Sequence, residues 1–423
     1  MTPLRSLLAA STWRAASALA RRSHGSAWRS LVLPAGSRRQ RLVRSFLRQL
    51  VEAASVEEGR PLAEVLARVK ASKGAVIVLP SIGWDVKLFQ RPHHLARAFA
   101  RRGYVAIFDC TNVLGEIRGF TEIEPNLFLF RGPARVLQRI PNPVLWTLPY
   151  NYHEGSLYPR PATVVYDWID DLEVFTDFDP RLVRRNHERA LAEADVVASV
   201  ARTLHTRALS HRSDAVYLPN GVDEEHFART GTTAPDDAAV DRLRREGKPI
   251  AGYYGALARW FDYSLLAETA RRRPDWNFLL IGPDYDGSIG SSALLDCPNV
   301  TWIGPRPYSS LPGYLRVFDV ATIPFRLDPI TLATSPLKLY EYFAGGRPVV
   351  STALPECVAH PQVHAVETAE QFADMLDVAR REGQDPGVRA CLRAVGAANS
   401  WRERVLQMEH VLASRATRRR VAS

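Results

Sequence analysis

Two apolar patterns alternate along most of this chain. Short unbroken apolar runs read as buried strands. Stretches in which apolar residues return every three or four positions read as helices packed on them. Ala75–Leu79 is the first such run. A loop (Pro80–Asp85) follows, then a helical pattern from Arg91 to Arg102 closed by Gly103, then a second run, Tyr104–Phe108. Strand, loop, helix and strand imply a βαβ unit and a parallel sheet. Further strands are predicted at Asn126–Phe130, Pro143–Trp146, Ala162–Tyr166, Asp195–Ser199 and Ala215–Leu218, and helices at Pro180–Ala194 and Ala201–Ser210. This is a doubly wound α/β domain, with ligands expected at the carboxyl ends of its strands.

Pro219-Asn-Gly-Val-Asp223 is turn chemistry, and a polar segment, Thr230–Asp237, follows it. The pattern then restarts. Strands are expected at Pro249–Tyr254, Asn277–Ile281, Val300–Ile303, Val320–Pro324 and Pro348–Ser351. A loop is expected at Gly255–Asp262, and helices at Tyr263–Arg273 and Ser400–Ala413. The fold class is α/β: two Rossmann-like doubly wound domains facing across a cleft, behind a basic N-terminal extension. We divide the chain into an extension (1–73), a first domain (74–224), a second domain (225–395) and a returning C-terminal helix with a basic tail (396–423).

Composition changes this picture in one place. A content of 46% hydrophobic and 24% charged residues is that of a globular protein. The net charge is +10, and residues 1–50 alone hold ten Arg and no Lys, Asp or Glu. The body is therefore electrically balanced, which argues against a nucleic-acid surface on it. Within the tail, Leu42, Val43, Phe46, Leu47, Leu50 and Val51 share a helical face beside Arg41, Arg44 and Arg48. A basic amphipathic helix over Arg41–Ala54 suits an anionic membrane surface. The acid-free, Arg- and Ser-rich composition also fits a mitochondrial presequence. Pro61–Lys70 reads as a second short amphipathic helix. Four scattered Cys suggest neither zinc nor disulfides, and no apolar run is long enough to span a bilayer.

The stretch richest in chemistry is Thr334-Ser-Pro-Leu-Lys-Leu-Tyr-Glu-Tyr-Phe-Ala-Gly-Gly-Arg-Pro-Val-Val-Ser351. Ser335 is a good N-cap residue and Pro336 suits a first helical turn. Leu337, Tyr340 and Phe343 give an apolar face, and Gly345 and Gly346 stop the helix. Its N-terminus is a ready phosphate site. Lys338 has the wrong sign for the helix dipole, so an anion nearby would compensate it. Glu341, one turn on, is placed to accept hydrogen bonds from sugar hydroxyls.

These residues resemble the nucleotide-sugar motif of GT-B-fold glycosyltransferases of the group 1, or family 4, type. They are most similar to the branch of teichuronic-acid and exopolysaccharide transferases. The resemblance covers roughly residues 74–413. It implies that Glu341 holds ribose hydroxyls and that Thr334, Ser335, Pro336 and Leu337 cradle a diphosphate. It also implies that Arg306, Pro307 and Tyr308 line the nucleobase, and that Lys338, Arg259 or Arg326 supplies positive charge to the leaving group. In the first domain, Gly83, Trp84, Arg91 and His94 are the acceptor-binding candidates, and Asp170 or Asp171 is placed to receive the acceptor proton. One departure is Ala333, where many family members carry a second Glu.

The expected function is transfer of a sugar from a nucleotide-sugar, UDP- or GDP-linked, to a saccharide or lipid-linked acceptor. It is expected to be retaining, with no metal and no prosthetic group, at the cytoplasmic side of a membrane in polysaccharide biosynthesis. The alternatives are a non-catalytic binding or scaffold subunit, which Ala333 motivates, and a GT-B-fold sugar-nucleotide epimerase.

Overall fold

The computed structural model describes residues 61–422 apart from 87–88, 113–116, 160–161 and 229–233. The helix expected at Arg41–Ala54 lies outside these residues.

The strands are β1 Ala75–Val78, β2 Val105–Asp109, β3 Gly119–Glu124, β4 Leu127–Arg131, β5 Val144–Thr147, β6 Thr163–Trp168, β7 Val196–Ser199, β8 Val216–Tyr217, β9 Ile250–Tyr254, β10 Asn277–Ile281, β11 Val300–Trp302, β12 Val320–Ile323, β13 Val349–Thr352 and β14 Val363–Val366. The longer helices are α1 Leu62–Ala71, α2 Arg91–Arg101, α3 Pro180–Glu193, α4 Arg202–Leu209, α5 Ala238–Glu246, α6 Tyr263–Arg272, α7 Leu337–Ala344, α8 Ala369–Glu382, α9 Pro386–Ala398 and α10 Trp401–Ala422.

Two separate sheets form. The first runs β3-β4-β2-β1-β5-β6-β7-β8 and the second β11-β10-β9-β12-β13-β14. Every pairing is parallel except β3 with β4. β1 shows why its sequence is an unbroken apolar run. Ala75 and Ile77 join the apolar cluster on one face, and Val76 and Val78 join the cluster on the other. A strand covered on both faces needs apolar residues at every position. α1 covers the first face through Val65 and Val69, so the Pro61–Lys70 segment belongs to the helical layer of this domain. α2 and α10 cover the second face. Trp401, Val405 and Met408 of α10 are buried there, and at about 1.5–3 kcal/mol for each buried large apolar side chain they anchor the helix firmly.

β3 and β14 are additions to the predicted strands. β3 is a half-exposed edge strand carrying Glu122 and Glu124, joined to β4 through Asn126 at φ 63°. β14 is half-exposed for most of its length. Neither has the unbroken apolar run of a central strand.

The chain order reverses between β1 and β5 in the first sheet and between β9 and β12 in the second. Crevices at such points hold ligands in open α/β sheets. The two domains are joined by paired crossings. Val222 N–H donates to the Asn399 carbonyl (3.1 Å), and Trp401 N–H donates to the Val222 carbonyl (3.0 Å).

Candidate functional site

The site grows from the β9/β12 switch point. The loops after these strands are zipped together: Asp262 N–H donates to the Pro324 carbonyl and Arg326 N–H to the Trp260 carbonyl, both at 2.8 Å. Beside them Gly255 (φ 142°) and Gly282 (φ 152°) pack backbone on backbone. A Cβ on Gly282 would fall 1.7 Å from the Gly255 carbonyl oxygen. Lys338 runs past this contact, and a Cβ on Gly255 would lie 2.8 Å from its Cε. The Lys338 ammonium sits 4.9 Å from the Phe325 ring centre and 5.2 Å from that of Tyr253. Such faces attract a cation without neutralising it. Burial pulls the ammonium down to about 8, with the Glu341 charge pulling the other way.

Lys338 lies in the first turn of α7. Ser335 does not cap this helix. Its hydroxyl accepts from the Asn220 N–H (3.3 Å) and its carbonyl from Asn220 Nδ2 (2.7 Å), so it ties the helix to the interdomain turn instead. The N–H groups of Leu337 and Lys338 have no acceptor among the described residues. They point toward the cleft end with the positive end of the helix dipole. One turn on, the buried Glu341 carboxyl is pushed up to about 7, chiefly by burial. This carboxyl is hydrogen-bonded by the Tyr254 hydroxyl and acts on the nearby Tyr308. The Tyr308 hydroxyl and the Nε2 of His94, whose ring meets Tyr308, are buried without a hydrogen-bond partner among the described residues. Buried polar atoms are normally paired. Two unpaired ones on touching rings beside a buried carboxyl mark a seat for a polar ligand.

The first domain meets this site on two flanks. On one, Phe89 stacks on Tyr308 (5.5 Å, 30°), and His94 stacks on Trp401 (5.1 Å, 10°) while meeting Tyr308 edge-on. Burial, with help from Arg97, holds His94 well below the usual histidine range, so it is neutral. His226 stacks on Tyr308 as well (4.5 Å). On the other flank, Thr334 Oγ1 lies 3.3 Å from Asp170 Oδ1 and 3.0 Å from the Ile330 carbonyl oxygen. Burial pushes Asp170 up to about 7. Thr203 Oγ1 donates to the Leu332 carbonyl (2.7 Å), and Arg202 N–H donates to Glu356 (2.6 Å).

Several expected site residues serve other ends. Arg91 is bidentate on Asp167 (2.7 and 2.9 Å) and donates to the Pro219 carbonyl, all out of solvent, and to the half-buried Asn220. Its fork is occupied, so it holds the interdomain turn rather than an acceptor. Asp171 caps a short turn through Glu173 N–H and pairs with Arg207 (2.9 Å). Arg306 is spent on Asp237 (2.7 Å) and the Tyr314 hydroxyl (2.8 Å), fixing the loop that presents Tyr308. Pro307, Arg259 and Arg326 are exposed, the two arginines on the β9 and β12 loops. The Gly83 carbonyl lies 2.9 Å from His93 Nε2, and Trp84 packs edge-on against Phe89, His93 and Phe108 at the β1/β5 switch point. Tyr254, Phe89, His226 and Asn220 were not expected. Only the Asn220 turn carries a local signal.

Among the described residues no group of three His, Cys, Asp or Glu side chains is placed to hold a metal, and no helix is long and apolar enough to cross a membrane.

Residues 248–379, which carry the β9/β12 switch point, α7 and Glu341, match the family described as Glycosyl transferases group 1. This segment is similar to that family. Over 202 residues the chain is 30% identical to TuaH of Bacillus subtilis (strain 168), whose name assigns it to teichuronic acid biosynthesis as a glycosyltransferase. That match covers 47% of this chain and spans about half the length of the curated relative, 50%. The fold is shared with the sucrose-phosphate synthase of Thermosynechococcus elongatus (TM-score 0.58, 15% identity, 80% of this chain and 98% of that one). It is also shared with Anabaena HepE in complex with UDP-glucose (TM-score 0.55, 14% identity, 80% and 99%). Both sheets thus belong to a GT-B architecture. Ala333, within the matched segment, is fully buried and packs into the apolar cluster of the first domain. The position serves the interdomain seam.

Proposed function

We propose that the chain transfers a sugar from a nucleotide-sugar to a saccharide or lipid-linked acceptor in the making of a cell-surface polysaccharide or glycoconjugate. The observation that carries this reading is the set of groups on α7. Two free N–H groups, a lysine held by ring faces and a buried glutamate with the unpaired Tyr308 hydroxyl close by are brought together there.

In this reading the diphosphate lies on the Leu337 and Lys338 amides, with Thr334 beside it. The Lys338 charge stabilises the diphosphate as it departs. Glu341 accepts from the ribose hydroxyls, and the Pro307–Tyr308 loop borders the base. Arg259 and Arg326 lie on the loops that face the donor. The acceptor enters from the β1/β5 switch point past Gly83 and Trp84. Asp170, with a carboxyl balanced near neutrality, takes the acceptor proton. Retention of configuration and independence of metal follow from the family resemblance. UDP is the first candidate nucleotide, since HepE was seen with UDP-glucose, and GDP is the second. Closure of the domains would exclude water from the activated sugar. We place the protein on the cytoplasmic face of a membrane, held by its basic N-terminal segment.

The test is a thermal-shift series with UDP-, GDP-, ADP- and dTDP-glucose on the full chain and on Glu341→Ala. One nucleotide should raise Tm; at a hundredfold excess over Kd the gain is about 2.7 kcal/mol. The gain should vanish in the variant. No gain with any nucleotide would overturn the reading.

A further inference from the structure

The far end of α7 builds a second cationic feature, remote from its free N–H groups. Gly346 (φ 66°) closes the helix: its N–H donates to the Phe343 carbonyl (2.8 Å), and Arg347 N–H donates to the Tyr342 carbonyl (2.9 Å). This backbone closure satisfies the terminal carbonyls. Basic side chains gathered there are therefore not required as caps. Yet Arg347, Arg389 and Arg393, with Arg316, line a cavity of about 130 Å³ at this point.

None of Arg347, Arg389 and Arg393 makes an ion pair among the described residues. Arg347 Nη2 donates to the Arg316 carbonyl (2.8 Å), Arg389 Nε donates to the Gly383 carbonyl, and Arg347 Nε is buried with no partner. The acid that acts on Arg347 is Asp319. Its carboxylate already accepts from Ile250 N–H (2.8 Å) and faces Arg380 at 3.8 Å. The arginines destabilise one another: burial and the charges of Arg389, Arg316 and Arg393 pull Arg347 down to about 10. Gly346 permits the crowding, because a Cβ there would lie 2.7 Å from Arg393 Nη1. Beyond Arg316 the surface continues as a wider depression of about 480 Å³ walled by Arg244, Lys248 and Arg380, with Asp319 as its one acid among the described residues.

Like charges packed together with too little counter-charge cost stability until an anion joins them. Guanidinium groups are suited to phosphate, which they grip with paired, charge-assisted hydrogen bonds. We propose that this arginine pocket is a binding site for a phosphate or diphosphate group, distinct from the donor cleft, with the depression beyond Arg316 taking the rest of the ligand. The ligand is a soluble phosphate compound or the headgroup of an anionic phospholipid. Both present the same oxygens.

The experiment uses the full chain, with inorganic pyrophosphate as the soluble probe. The lipid probe is flotation with phosphatidylcholine vesicles that contain or lack phosphatidylglycerol. Pyrophosphate can also meet the free N–H groups of α7, so Lys338→Gln is run beside Arg393→Gln and Arg347→Gln. Without pyrophosphate, both arginine variants should melt at or above the wild type, because repulsion is relieved. With it, they should bind about tenfold or more weakly, as expected for loss of one charged hydrogen-bond donor. Lys338→Gln should keep the share of the shift that they lose. A pyrophosphate shift lost in the arginine variants supports the site with a soluble ligand. Phosphatidylglycerol-dependent flotation lost in them, without a pyrophosphate effect, supports it with a lipid headgroup. Responses to both probes that are equal in wild type and arginine variants, or absent in all, overturn the proposal.

Discussion

Asp170 and Glu341 are carboxyls that the fold holds near neutrality, and the sign of their effect on stability follows. Each has a folded pKa of about 7, above its ordinary value, because burial disfavours the charge. Between pH 4 and pH 7 the folded chain binds more protons than the unfolded one, so stability present at low pH is lost as pH rises through about 7. Asp170→Asn should therefore leave Tm nearly unchanged at pH 4 and raise stability by about 1–3 kcal/mol at pH 8, read by melting at both pH values. Lys338→Met should keep Tm, since the thioether chain fills the same channel against Tyr253 and Phe325, and should lower kcat about 10²–10³-fold in a sugar-transfer assay. At this scale the sequence was legible where spacing is local: Lys338 and Glu341 were placed one turn apart on one helix, as they are. It was not legible where the partner is distant. The Asp167 that occupies Arg91 is 76 residues away, the Asp237 that holds Arg306 is 69 away, and the Arg207 that pairs with Asp171 is 36 away. A lone Arg in a sequence looks the same whether it is spent or free.

Among the elements, the helix α7 works through both of its ends, and the glycine pair beside it decides where its lysine goes. Gly282→Ala should be the more damaging substitution. It adds a strained backbone, worth roughly 1–3 kcal/mol, to an overlap with the Gly255 carbonyl that no rotamer relieves. Gly255→Ala pushes first on the Lys338 chain, so nucleotide binding should weaken beyond what the drop in Tm accounts for. Melting and nucleotide titration of the two variants side by side check this. The central strands β1, β2, β9 and β12 were readable because burial on both faces leaves an unbroken apolar run. β3 and β14, at the sheet edges, keep polar residues toward solvent and lose that signature. Ser335 was readable as a helix-start residue but not as the acceptor for Asn220, because a cap and a domain tie use the same hydroxyl.

For the molecule as a whole, the two domains touch on both flanks of the crevice, through Phe89 and Tyr308 on one and through Asp170, Thr203 and Arg202 on the other. Phe89→Ala removes the stacked contact of the first flank without touching either sheet, leaving only the edge-on His94–Tyr308 contact there. The variant should scatter with a larger radius of gyration at unchanged Tm, and added nucleotide should restore the smaller value. The two-domain plan was legible because the strand and helix pattern restarts. Which residues face each other across the crevice was not, since no local pattern encodes a contact between separate cores. The paired crossings at Val222 and Ser400 carry a further consequence. Seen as topology, the second domain is a guest inserted into the first, with its two ends side by side. Residues 223–399 should excise as one piece and fold alone. Residues 61–222 should not, because Trp401, Val405 and Met408 would be missing from their core. A short splice from Val222 to Ser400 should restore a folded host, with cooperative melting as the readout.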